Sequence, residues 1–414
     1  MNNSTRRSRP RHHQKAKPYA SFPLTAHVTK RWCKKIKGRI FFFGPIVPND
    51  SGSSAQAALD KYLFEKNYRE SGRTPPPEAK DALTLRDLAN AFLTHKRTLL
   101  DNSELTTRTF GECHRTCDDI IKQFGRHRRI DDLRQGDFAE YRVALSKRLG
   151  PVSLGNTIQR TRSLFKFAIE SGMLLTPVLF GPGFKRPTKK TLRLERAKKG
   201  PKLFARDDII KLIEVAGVQL KAMILLACNA GLGAGDLSAM PLAVVNLTTG
   251  WVDYARPKTG IPRRFVLWPE TLEAVRNSIA KRPTPKDPAN AGLLFITKYG
   301  GPWCNSVFEP SDDPAIKNRI INDNAIPKEF AKLFLKAGIE RTKGHLFYAL
   351  RHVFETVAGD SRDQIAVDHV MGHSKDDMAS VYRERISDAR LQAVAEHVRQ
   401  WLFGTQATTQ EGGA

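Results

Sequence analysis

The sequence predicts a multidomain chain, mainly α with small β elements: a small N-terminal module of sheet and helix, then a helical bundle, then a mixed α+β C-terminal domain. Three observations lead there. At 414 residues the chain exceeds what one hydrophobic core normally organises. Helical periodicity dominates after residue 82, whereas β-branched and aromatic runs are confined to short stretches near the N-terminus and around residues 252–267. Two stretches, 71–81 and 184–203, combine Pro or Gly with charge and break the periodic patterns as linkers do. The division is a basic disordered tail (1–23), a small module (24–70), a linker (71–81), a bundle (82–183), a basic linker (184–203), a C-terminal domain (204–404) and a flexible tail (405–414).

In the first module, residues 32–44 mix lysines with aromatic and β-branched residues and end at Gly44, which predicts a hairpin or three-stranded sheet. Ala55, Ala58, Leu59, Tyr62 and Leu63 then recur at helical spacing and predict one helix laid across it. In the bundle, Thr84 followed three residues later by Asp87 is an N-cap signature, and Leu85, Leu88 and Phe92 share a face behind it. Further helical patterns cover 103–124, 134–149 and 152–171, stopped by Gly125, Gly150-Pro151 and Gly172, so four short helices are expected. The last interleaves Arg160, Arg162 and Lys166 with Ile158, Leu164, Phe165 and Phe167, giving a basic face opposite an apolar one. In the following linker Pro187, Gly200 and Pro201 discourage regular structure.

In the C-terminal domain Asp207 opens a helix, 224–228 is a buried apolar run, and Gly231-Leu232-Gly233 interrupts before Asp236-Leu237. Strands are expected over 252–255 and 264–267, with Pro257-Lys258-Thr259-Gly260 as the turn between them. Helices follow over 329–337, 348–358, 362–371 and 388–402. In the last, Leu391, Val394, Val398 and Trp401 form an apolar stripe that either docks on a neighbouring subunit or packs on its own domain.

Charge narrows the partner. Lys and Arg number 68 against 42 Asp and Glu, a formal net charge of +26, the footprint of a chain that displaces counterions from nucleic acid. No acidic residue precedes Asp50, and the basic run from Arg6 to Lys17 is either a solvated tail or a phosphate contact. Lys34, Lys35, Lys37 and Arg39 on the small sheet, and Arg160, Arg162 and Lys166 on the bundle, are the candidate contacts to double-stranded DNA, with a plain surface patch or an ordinary amphipathic helix as the alternatives. The basic linker fits a tether around a duplex, or a mere hinge. No apolar run approaches the roughly 20 residues a membrane span needs, and the N-terminus lacks the apolar core of a secretory signal. Five thinly spread cysteines suit a reducing cytoplasm, and the Cys113/Cys117 pair has no second pair to complete a metal site.

The densest chemistry lies near the C-terminus: Arg351-His352, then Gly372-His373-Ser374, then Tyr382. A guanidinium, an imidazole and a phenol in this order suit attack of tyrosine on a phosphodiester whose developing charge is held by fixed donors, without a metal or another cofactor. The segments LRHVFET and VMGHSKDDMASVYRERI resemble the second and third signature boxes of the tyrosine recombinases, also called phage integrases, and GNTIQRTRSLFKFAIESGML is similar to the last helix of their core-binding domain. The resemblance spans nearly the whole chain, with 24–70 as an arm-type module, 82–183 as a core-binding domain and 204–404 as the catalytic domain. It implies Tyr382 as the nucleophile of a 3′-phosphotyrosyl intermediate, Arg351 and His373 as phosphate ligands, and Lys258 as the acid for the leaving 5′ oxygen. It further implies catalysis without ATP, a homotetramer on two DNA sites, an accessory DNA-bending protein as a possible partner, and integration or excision of a mobile element.

Two positions depart from that pattern. Gly233 stands where the first box carries an arginine, and Tyr348 stands where a histidine three residues before the second-box arginine is usual, with His345 out of register by about one turn. Arg256, Arg263 or Arg264 could replace the missing cation; otherwise the site is slower, or the chain binds recombination sites without cutting them. A type IB topoisomerase is a further alternative.

Overall fold

The computed structural model describes residues 17–48, 50, 52–75, 83–309, 319–342, 344–373, 382 and 384–404, and these form two compact units, Met1–Lys198 and Lys199–Ala414. The tails at 1–16 and 405–414, most of the 71–81 linker, and Ser374 lie outside the described residues.

The first unit opens with an antiparallel sheet of β1 (Thr25–Ala26), β2 (Arg31–Ile36) and β3 (Arg39–Pro45) in that order. Lys37 and Gly38 make the two-residue turn between β2 and β3, with φ of 45° and 83°, the left-handed pair whose twist matches a tight hairpin. Helix α1 (Ser53–Glu70) packs across the sheet, closing a core of Phe22, Leu24, Trp32, Ile36, Phe43, Ala55, Ala58 and Tyr62. A separate core fills the bundle of α2 (Leu85–Asp101), α3 (Thr107–Phe124), α4 (Gln135–Ser146) and α5 (Pro151–Glu170). Thr84 and Asp87 cap α2 reciprocally, and Pro151 starts α5 at the one position where its missing N–H costs nothing. Cys113 and Cys117 face inward from α3, and burial pushes both thiols up.

One expectation is overturned here. The basic linker is not irregular throughout, because α6 (Lys189–Lys198) forms within it. Pro187, Gly200 and Pro201 bracket this stretch instead of interrupting it, and the Thr188 hydroxyl accepts the Thr191 N–H at 3.1 Å to start the turn.

The second unit comprises α7 (Arg206–Val215), α8 (Val218–Ala230), α9 (Ala234–Ser238), β4 (Trp251–Asp253), β5 (Arg264–Val266), α10 (Pro269–Ala280), β6 (Cys304–Glu309), β7 (Arg319–Asn324), α11 (Ala325–Lys336), α12 (Ala349–Gly359), α13 (Gln364–Met371) and α14 (Asp388–Phe403). Helix α8 is apolar on every side and sits at the centre, with α10 and α12 packed on it. β4 pairs antiparallel with β5, and β6 with β7. The stripe of α14 is settled by packing: Leu391, Val394 and Val398 are buried in this same core, Trp401 lies against it, and Trp268 Nε1 donates to the Ala395 carbonyl at 2.8 Å. The helix therefore docks on its own domain. No helix among the described residues is long and apolar enough to cross a membrane.

Candidate active site

Arg351 projects from the first turn of α12 into the interior and is only 4% exposed. Its Nη1 donates to the Gly231 carbonyl, where α8 ends in a left-handed residue of φ 63°. Its Nη2 donates to the Met371 carbonyl at the end of α13 and lies 3.0 Å from His373 Nε2. One guanidinium thus joins the ends of two helices to the imidazole. Burial, and next the charge of Arg256, draw Arg351 below the ordinary arginine value.

Gly372 ends α13 with φ 63°, a left-handed cap that turns the chain so that His373 faces Arg351. Because a guanidinium only donates, the ring nitrogen beside it accepts, and the ring proton belongs on Nδ1. Nδ1 faces Asp368 at 3.5 Å and Glu355 at 3.8 Å. These three side chains bring ligand atoms within 4.8 Å of one another, a spacing open to a metal ion as well as to a proton-sharing trio. With Nε2 committed to Arg351, the arrangement reads as two carboxylates orienting an imidazole.

The β4–β5 hairpin closes the other side. Arg256 accepts backbone bonds from Thr259 and Gly260 and donates its own N–H to Ile261 at 2.8 Å, so the turn forms as expected and leaves Lys258 exposed at its tip. The three hairpin arginines diverge. Arg264 points outward, held by Asp388 at 2.8 Å and Asp253 at 2.5 Å. Arg263, its neighbour on the opposite face, is buried, with Nε on the Tyr254 carbonyl at 3.0 Å and Nη1 3.5 Å from Asp236. Arg256 turns to the Gly372 carbonyl, Nη1 to O at 3.3 Å.

Gly233 sits opposite this cluster, its N–H bonded to Asp236 at 3.0 Å. A Cβ there would meet Asp236 Oδ2 at 3.6 Å and the Tyr348 ring at 3.7 Å, ordinary contact distances. Tyr348 is half-exposed beside the gap, edge-on to His352 with ring centroids 5.4 Å apart. His345 is elsewhere: its ring stacks on Phe204 and its Nε2 lies 3.2 Å from the Leu203 carbonyl. Tyr382 is 77% exposed; the chain joining it to His373 lies outside the described residues. The fold therefore brings Arg351, His373, Tyr348, Gly233, Arg256 and Arg263 together, while Arg264 turns outward and Lys258 and Tyr382 stand exposed. Arg256, Glu355 and Asp368 complete the set. The sequence marked Arg256 only as one of three cations and gave no sign of the two carboxylates, which reach His373 from separate helices.

Residues 203–387 match the profile described as the phage integrase family. This part of the chain carries a domain of that family. A search among curated proteins finds no match. Among solved structures, a lambda integrase tetramer bound to a Holliday junction is 16% identical, with a TM-score of 0.53 over 89% of this chain and 98% of that one. The Tn1549 transposon integrase, residues 82–397, in complex with transposon right end DNA, is also 16% identical, with a TM-score of 0.53 over 77% of this chain and all (100%) of the other. At this identity the likeness establishes the shared tyrosine recombinase fold.

On the first unit the candidate basic contacts separate into two groups. Lys35, Lys37 and Arg39 are exposed, with Lys37 at the hairpin tip, whereas Lys34 donates to the Pro23 carbonyl at 2.9 Å. On α5, Arg162 donates to the Phe184 carbonyl at 2.8 Å and covers the Phe180 ring, and Arg160 pairs with Glu112 at 3.1 Å. Only Lys166 of that trio is fully exposed, paired with Glu170 at 3.2 Å. Besides Val152 and Glu170, the side chains that α5 turns outward are Ser153, Asn156, Gln159, Ser163 and Lys166, a polar stripe at helical spacing with a single positive charge.

Proposed function

We propose that this chain is a site-specific DNA recombinase that cuts and rejoins duplex DNA through Tyr382 for the integration or excision of a mobile element. The observation that carries the reading is the Arg351–His373 pair, a buried guanidinium bonded only to carbonyls and an imidazole, at the head of the segment that leads to Tyr382. A cation so placed has hydrogen-bonding capacity for an oxyanion, and among the described residues no carboxylate is within ion-pair reach to satisfy it.

In the proposed reaction the Tyr382 phenol loses its proton and its oxygen bonds to phosphorus. The bond from phosphorus to the 5′ oxygen breaks, and that oxygen takes a proton from Lys258, leaving a 3′-phosphotyrosine and a free 5′ hydroxyl. A 5′ hydroxyl from another strand then attacks the phosphotyrosine, Tyr382 recovers a proton, and a phosphodiester is restored with no net change in bond type. Arg351 turns from His373 to the non-bridging oxygens, His373, freed at Nε2 and protonated there with Asp368 and Glu355 facing its Nδ1, donates as charge accumulates, and Tyr348 adds a hydroxyl at the pocket edge. Recombination pairs two duplex sites, so a homotetramer on DNA is the assembly proposed; the lambda integrase structure, a tetramer on a Holliday junction, has that stoichiometry.

The test uses a pool of nicked duplexes with a randomised centre. Wild-type protein should yield SDS-resistant adducts that vanish in Tyr382→Phe, and Lys258→Ala should slow them about 10²–10⁴-fold. Tight binding without any adduct supports the second reading favoured by Gly233, a silent occupant of recombination sites. Relaxation of supercoils at no particular sequence supports a type IB topoisomerase.

A further inference from the structure

The glycine in the first box leaves the pocket one guanidinium short, and the hairpin offers a replacement that can be identified by elimination. Arg264 is turned outward to Asp253 and Asp388. Arg263 is sealed beneath the surface, with Asp236 and the Tyr254 carbonyl as its partners. Arg256 remains. Its Nη1 donates to the Gly372 carbonyl at 3.3 Å, and Arg351 Nη2 donates to the adjoining Met371 carbonyl at 3.0 Å. Two guanidiniums thus hold consecutive carbonyls of the turn that presents His373.

That arrangement is electrostatically unfinished. Among the described residues Arg256 has no carboxylate within ion-pair reach, and its Nε is buried without a hydrogen-bond partner. Like charges this close repel, and an anion between them converts that repulsion into attraction. The approach is also built in: a side chain at Gly372 would meet Arg256 Cβ at 3.3 Å and Arg263 Cδ at 2.8 Å, so only glycine lets the hairpin close on this turn.

We propose that Arg256 takes over the part of the missing first-box arginine, holding the scissile phosphate together with Arg351, while Arg263 and Asp236 fix the hairpin that carries it. The inference rests on the recombinase reading. Gly233 is compatible with it because Arg256 fills the charge deficit from the hairpin side, leaving ordinary contact space where the arginine would start.

The experiment uses the full chain and the nicked duplex recovered from wild-type adducts. Arg256→Ala should slow adduct formation about 10²–10³-fold, the usual effect of removing one preorganised donor, and Arg256→Lys should slow it less. Adding Gly233→Arg to Arg256→Ala should recover most of the rate. A methylphosphonate at the scissile position, which lacks the charge to be neutralised, should shrink the deficit of Arg256→Ala. A wild-type rate in Arg256→Ala overturns the proposal, as does a deficit that neither Gly233→Arg nor the neutral phosphate relieves, since that marks a mere prop for the Gly372 turn. Absence of adducts from the wild-type protein overturns the recombinase reading itself, and this inference with it.

Discussion

Two arginines of nearly equal burial, one in each unit, have opposite surroundings. Arg128 of the bundle is 5% exposed and lies between two carboxylates, 3.1 Å from Asp132 and 2.8 Å from Asp137, with its face over the Tyr68 ring. Arg351 is 4% exposed and has carbonyls, an imidazole and a second guanidinium instead. Arg128 is a completed cross-link between the loop and α4. Arg351 is a cation that no carboxylate among the described residues pairs with directly. The contrast shows why the net charge of the chain does not by itself locate a polyanion site: what matters is which cations the fold leaves unneutralised.

The largest effect that would break this contrast is on stability. Arg128→Met strands two partly buried carboxylates and should lower unfolding free energy by about 3 kcal/mol in urea titrations followed by circular dichroism. Arg351→Met leaves two carbonyls and an imidazole nitrogen unpaired, about 1–3 kcal/mol, partly offset by relief of the Arg256 repulsion. Equal losses would erase the distinction. Next, Gly372→Ala and Gly172→Ala both force alanine into a left-handed conformation, about 1–2 kcal/mol each. At Gly172 a Cβ meets nothing within 4 Å, whereas at Gly372 it also displaces Arg263, so the second unit should lose more. Sulfate added at about tenfold its Kd should stabilise the wild-type protein by about 1.4 kcal/mol, and Arg351→Met should abolish that gain.

Smaller effects follow from protonation and from surface charge. Burial, as the first cause, lowers the pKa of His127 in the first unit and His369 in the second. The unfolded chain then binds a proton below about pH 6.5 that the native state refuses. Stability contributed by each is complete above that value and falls as pH drops through the lowered native pKa, so Tm should decline between about pH 7 and pH 5 and decline less in His369→Gln. Least of all, Lys35→Ala should weaken DNA binding evenly and flatten the salt dependence by about one unit. Arg162→Ala should instead lower Tm and leave the salt slope unchanged, because that side chain holds Phe184 and Phe180.

The elements legible from the residues were those with strong local signals: the Thr84–Asp87 cap, the hairpin around Lys258, and the apolar stripe of α14. Helix α10 escaped because its buried positions are Thr271, Ala274, Val275 and Ser278, too small and polar to print a clear apolar period. The β6–β7 hairpin escaped because β7 reads Arg-Ile-Ile-Asn-Asp-Asn, with polar residues poor in strand propensity. In the site, the spacing of Arg351, His373 and Tyr382 was visible, but which hairpin arginine turns inward was not. Adjacent Arg263 and Arg264 fall on opposite faces of a strand, and only the packed turn at Gly372 decides which face is interior.

The thiols of the chain bear on how it can be handled at the bench. Cys33, Cys113, Cys117 and Cys228 are buried away from oxygen or an alkylating dye, and burial raises the partly covered Cys304 to about 11, so that thiol offers hardly any thiolate at neutral pH. The protein should keep its titre of free sulfhydryls without added reductant. A cysteine introduced at the exposed Lys258 tip would then be the position a maleimide fluorophore finds first, giving a direct optical report on the hairpin as DNA arrives.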